Sequence, residues 1–104
     1  MLLFERRLGE TIVIDLRGSV DPEHGDLTAL LTRIRSLANH GCTDIVLNVE
    51  ELTDVSSVVI GAIAHAYIST SRAGATLRLE HVSPALRELL AMTKLDRVIK
   101  IIEV

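Results

Sequence analysis

Asp44-Ile45-Val46-Leu47-Asn48-Val49, then the polar Glu50-Glu51-Leu52-Thr53-Asp54, then Ser56-Ser57 ahead of a run from Val58 to Ala73 that stops at Gly74: this stretch decides the fold. Its first six residues are an apolar run of strand length and read as a buried central strand. From Val58 onward, Val59, Ile60, Ile63, Ala66, Tyr67 and Thr70 trace one helical face, with Ser at the cap and Gly at the stop. The Val-Val-Ile opening is poor helix material, so burial has to stabilise it.

The same alternation of strand and helix extends on both sides. Upstream, Leu2 to Arg7 and the β-branched Thr11 to Leu16 read as strands, with Leu8-Gly9-Glu10 placed to close a hairpin. Leu27, Leu30, Leu31, Ile34, Leu37 and Ala38 then form one stripe of an amphipathic helix stopped by Gly41. Asp21 before Pro22 resembles an N-cap for it, and Asp26 is a competing cap. Downstream, Ala75 to Glu80 alternates as a half-buried strand. Ser83-Pro84 opens a short helix through Met92, Leu95-Asp96-Arg97 is a turn or short helix, and Ile99 to Glu103 is a closing strand. Strands separated by helices imply parallel crossovers, and the first hairpin makes the sheet mixed. The expected fold is α/β: a five-stranded mixed sheet with helices packed mainly on one face.

Composition bounds the function. The chain has 104 residues, 48% hydrophobic and 24% charged, which fits one globular domain over 1–104. Its only aromatics are Phe4 and Tyr67, so the core is aliphatic and no base-stacking platform can be built. A net charge of −3 gives no footprint for nucleic acid or an anionic membrane. No apolar run approaches the roughly 20 residues of a membrane span, and the acid and bases of Met1-Leu2-Leu3-Phe4-Glu5-Arg6-Arg7 are unlike a signal peptide. A cytoplasmic domain is expected.

No catalytic constellation stands out. His24, His40, His65 and His81 lie too far apart for a helical two-His metal motif, and the lone Cys42 has no base placed beside it. His24 with Asp21 and Glu23 reads better as a polar loop than as an acid–base pair. Gly-rich phosphate signatures are absent. No catalytic residue, metal or cofactor is expected. Ser57 differs, because it sits where a loop after a buried strand becomes a helix. Free backbone N–H groups and the macrodipole would favour a phosphate on its hydroxyl. Read locally, Ser56 or Ser57 is simply the helix cap.

The whole chain resembles the STAS domain of bacterial anti-sigma factor antagonists. Three patterns carry the resemblance. Ile14-Asp15-Leu16-Arg17-Gly18-Ser19-Val20-Asp21 looks like the family's Gly-x-hydrophobic-Asp turn before the first helix. Ile45 to Val49, followed by Glu50 to Val55 and the Ser56-Ser57 helix start, looks like the region that ends in Asp-Ser-Ser/Thr-Gly-Leu-Gly. Arg72 to Leu79, Val82-Ser83-Pro84 and Leu95-Asp96-Arg97-Val98 resemble the closing half. A gapless placement puts Ser56 at the family's Asp, Ser57 at the phosphorylatable Ser, and Val58, Val59 and Ile60 at the Ser/Thr, Gly and Leu; Gly61 keeps the second Gly. The resemblance implies a binding module, not an enzyme. Asp21, Ser56, Ser57, Val58 and Val59 would meet an anti-sigma factor with a kinase-type ATP-binding fold, and phosphorylation of Ser57 would switch the contact off. Because the acidic neighbour and the Ser/Thr-Gly pair are replaced, an unswitched STAS subunit of a lipid-transport ABC system or stress-sensing complex is the alternative. Homodimerisation through the N-terminal hairpin stays open.

Overall fold

The computed structural model describes residues 1–102. Five strands form one sheet in the order β1-β2-β3-β4-β5: β1 Leu2–Leu8, β2 Thr11–Gly18, β3 Asp44–Leu52, β4 Thr76–Glu80 and β5 Lys100–Ile102. β1 and β2 are an antiparallel hairpin closed at Gly9-Glu10, where Gly9 takes φ +64°; the other neighbours are parallel. The helices are α1 Asp26–Asn39, α2 Ser57–Arg72 and α3 Pro84–Met92, with short 3₁₀ turns at Pro22–His24 and Leu95–Arg97. The mixed sheet with its helices gathered on one face is the expected architecture. The closing strand is Lys100–Ile102, with Ile99 buried just before it, and Glu103 lies outside the described residues.

Alternation along the strands separates two faces. Ile12, Ile14 and Leu16 of β2, Ile45, Leu47 and Val49 of β3, and Leu77 and Leu79 of β4 point toward the helices. There they join Leu30 and Ile34 of α1, Val59, Ile63 and Ala66 of α2, and Leu86 and Leu90 of α3 in one aliphatic cluster. The register stacks these layers, with Ile12 beside Ile45 and Leu47 between Ile14 and Leu79. This burial holds the Val-Val-Ile opening of α2 helical against its weak propensity.

The other face is closed by charge. Arg6 donates to both oxygens of Asp15 at 2.8 and 2.9 Å, and Asn48 adds a third bond at 2.8 Å. Arg78 and Thr11 converge on Asp44. Arg6 holds the Asp15 carboxyl below its ordinary pKa. At Asp44, burial pushes upward, but Arg78 and Thr11 prevail and the net shift is downward. Val13 and Val46, which point to this side, are buried beneath the long polar side chains.

Two boundaries differ from the sequence reading for one physical reason. The strand starting at Thr11 was expected to end at Leu16 and the strand starting at Asp44 at Val49, yet pairing continues to Gly18 and Leu52. Arg17 and Glu51 face one another in the register and form an ion pair at 2.7 Å, so charged residues lengthen the sheet instead of ending it. The loop before α2 therefore shrinks to Thr53–Ser56.

Candidate functional site

The parallel strands deliver three loops to one edge of the sheet, at their carboxyl ends. This is the edge where open α/β sheets carry their sites. Gly18 to Asp21 leaves β2, Thr53 to Ser56 leaves β3, and His81 to Ser83 leaves β4. The first two are tied together: the Thr53 N–H donates to the Gly18 carbonyl at 3.1 Å. Asp21 and Ser57 thus belong to adjacent loops of one edge.

Ser56 takes extended dihedrals (φ −150°, ψ 174°) as the residue before α2, and its carbonyl accepts the Ile60 N–H at 3.1 Å. Its side chain makes no capping bond. Ser57 is the first helical residue and is exposed. Among the described residues, neither hydroxyl has a hydrogen-bond partner, and the N–H groups of Ser57, Val58 and Val59 have no protein acceptor. Of these donors, those of Ser57 and Val58 belong to exposed residues and lie at the positive end of the α2 macrodipole beside the Ser57 hydroxyl.

Helical periodicity sorts the neighbouring valines. Val58 is 41% exposed, and Val55 in the loop is 42% exposed, so the hydroxyl is flanked by open apolar surface. Val59 is only 1% exposed and sits in the core cluster. This corrects the expectation that Val59 meets a partner: it anchors the start of α2 from beneath. Val55 was missed, and its signal was only its position beside the loop serines.

Asp21 caps the 3₁₀ turn, accepting the Glu23 N–H at 2.9 Å and bonding His24 Nδ1. The His24 bond is the main reason its carboxyl is held below the ordinary range. Asp26 begins α1, accepts the Asp21 N–H at 2.6 Å, and is lowered chiefly by that bond. Of the two candidate caps, Asp21 caps the 3₁₀ turn, whereas α1 is preceded by Gly25 at φ +77° without a side-chain capping bond and Asp26 is its first residue. His81 completes the edge in a left-handed conformation (φ +58°), with its ring 3.5 Å from Glu80 and 3.9 Å from Glu50. Nothing in the local sequence singled it out.

Cys42 is half-buried, and its thiol lies against the Asp44 carbonyl at 3.4 Å. Among the described residues, no group of His, Cys, Asp or Glu is arranged to hold a metal, and no helix is long and apolar enough to cross a membrane. The edge offers a hydroxyl, open N–H donors and exposed valines, which is the chemistry of a contact surface.

No curated protein sequence matches the chain. Among solved structures, a Thermotoga maritima chain described as a candidate anti-sigma factor antagonist superposes with a TM-score of 0.81 at 18% identity, covering 98% of this chain and 86% of that one. The Bacillus cell fate determinant SpoIIAA in its phosphorylated form gives 0.72 at 21% identity, covering 98% and 92%. An anti-sigma factor antagonist from Mycobacterium paratuberculosis gives 0.78 at 16%, covering 99% and 86%. At such identities the likeness is one of fold. The family model described as Mlab, STAS domain matches residues 3–103, nearly the whole chain, and the protein therefore belongs to the STAS domain family.

Proposed function

We propose that this chain is an anti-sigma factor antagonist that uses the Asp21–Ser57 edge to bind an anti-sigma factor with a kinase-type ATP-binding fold, and that phosphorylation of Ser57 releases the partner. The observation that carries the reading is the start of α2: an exposed hydroxyl, unpartnered among the described residues, beside three N–H donors without a protein acceptor. A SpoIIAA neighbour solved in its phosphorylated form supports a switch of this kind on this fold.

Ser57 itself is uncharged, and the exposed Val55 and Val58 beside it supply apolar area to a contact. A phosphate adds about −1.5 to −2 charges at that point. In the free protein, solvent and the helix end stabilise it. Under a partner that was packed against a neutral hydroxyl, the same charge is buried unpaired, which costs several kcal/mol. Binding of the anti-sigma factor frees its sigma factor, and a phosphatase restores the unmodified state.

Incubation with an anti-sigma factor kinase and ATP tests the reading. Intact-mass analysis is expected to show one phosphate, and fragmentation to place it on Ser57. A complex that forms with the unmodified chain while Ser57 stays unmodified would overturn the switch. Capture of a transporter ATPase in place of a kinase-fold protein would replace the partner.

A further inference from the structure

Away from that edge, the outer surfaces of α1 and α2 leave a groove of about 370 Å³ between them. Leu31, Arg35 and Asn39 line it from α1, and His65, Ile68 and Arg72 from α2. The spacing of three and four residues places each set along one side of its helix. The lining contains no carboxylate, although the chain carries a net charge of −3. Most other arginines of the sheet and α1 are matched: Arg6 to Asp15, Arg17 to Glu51, Arg33 to Glu5 and Arg78 to Asp44. Among the described residues, the guanidinium groups of Arg35 and Arg72 have no ion pair or hydrogen bond. Arg72 lies in the last turn of α2, where it complements the helix dipole, but Arg35 lies outside the last turn of α1, so that account does not cover it. Ile68, in the same lining, is 45% exposed.

We propose that this groove is a second docking surface, one that takes an acidic amphipathic helix of a protein partner. Such a helix would lay apolar side chains on Ile68 and Leu31 while carboxylates on its flanks reach Arg35 and Arg72. The lining favours an amphipathic helix over a small anion, because apolar side chains, the exposed Ile68 among them, lie beside cations contributed by both helices. From Ser57 to Arg72 the distance along α2 is about 22 Å at 1.5 Å per residue. The surface is therefore separate from the phosphorylation edge and stands whether or not Ser57 is modified.

The test is an NMR titration of the full chain with two synthetic helix-forming peptides. They share one row of leucines, and their flanking positions are all Glu in one and all Lys in the other. The Glu peptide is expected to shift amides within 31–39 and 65–73, and the Lys peptide to leave them in place. Arg35→Glu with Arg72→Glu should weaken the Glu peptide about tenfold or more and admit the Lys peptide. Arg35→Gln with Arg72→Gln, checked by an unchanged melting temperature, gives the loss without reversed charge. Ser57→Asp should leave Glu-peptide binding as it was. Equal binding of both peptides, or shifts centred near 53–60, would overturn the proposal. So would inorganic phosphate reproducing the whole shift pattern, since the groove would then be a small-anion site.

Discussion

Both α2 and α3 follow a strand of the same sheet, and both begin beside serine. At α3 the Ser83 hydroxyl accepts the Leu86 N–H at 3.2 Å, and Leu86 and Leu90 seat the helix in the core. At α2 the Ser56 hydroxyl makes no such bond, Ser57 stands exposed, and Val59 alone among the first three residues is buried. One start uses its serine to complete the fold. The other leaves the Ser57 hydroxyl exposed and the Ser56 cap unmade, and is held from beneath by Val59. The contrast shows that where the capping bond is not made, nearby core packing has to carry the helix start instead.

The sharpest way to break this contrast is to place charge on the open start. Ser57→Asp is expected to weaken the anti-sigma factor about a hundredfold relative to Ser57→Ala, which is ~3 kcal/mol. Calorimetric or surface-based affinities for the two variants would measure it. Equal binding by both would mean that Ser57 lies outside the contact.

The next largest effect concerns the support. Val59→Ala is expected to cost about 2 kcal/mol of stability in urea unfolding, since it removes a fully buried side chain from the core. Val58→Ala should stay within about 0.5 kcal/mol and act on partner binding instead. If the two variants lose stability equally, the inward and outward assignment of these neighbours fails.

Ser83→Ala should cost about 1 kcal/mol, and Ser56→Ala only a few tenths, because only the first hydroxyl caps an N–H. This pair of variants tests the contrast with the smallest chemical change. A large loss at Ser56 would show that it caps α2 in solution.

Much of the fold was legible because periodicity is a statement about which side is buried. The Ile-Val-Ile and Ile-Val-Leu runs could only be inner strands, and the stripe from Leu27 to Ala38 could only be a one-sided helix. The extension of the sheet past Leu16 and Val49 was not legible, because it depends on Arg17 meeting Glu51 from a residue 34 positions away. The same limit explains the site. Ser57 was visible as a serine at a helix start, and Pro84 after Ser83 was a start signal that Ser56 lacks, but residue type alone does not say whether a hydroxyl makes its capping bond. Val59 was misassigned to the surface because a resemblance aligns positions and does not say which way a side chain points. His81 and the groove between α1 and α2 depend on elements brought together only by folding.

The turn leading into α1 extends the comparison to a third case, held by carboxylates instead of a hydroxyl. Asp21 accepts the Glu23 N–H and bonds His24, and Asp26 accepts the Asp21 N–H. These bonds hold both carboxyls below the ordinary aspartate value of 3.8. Folding favours the ionised forms, so their contribution is fully present above that value. It is lost as pH falls through the lower values of the folded state. Acid should therefore loosen the Asp21–Asp26 turn while leaving the Ser83 cap, which has no titrating group, in place. Amide NMR followed from about pH 5 down to about pH 2 would show it: residues 21–26 should move with midpoints below 3.8, and residues 83–86 should not follow them. Asp21→Asn, which can still cap the turn, should remove the Asp21 share of the titration and, near neutral pH, the stability that the ionised carboxyl supplies. Midpoints at or above the ordinary value would mean that these bonds do not persist in solution, and the edge next to Ser57 would then lack the fixed turn that places Asp21 there.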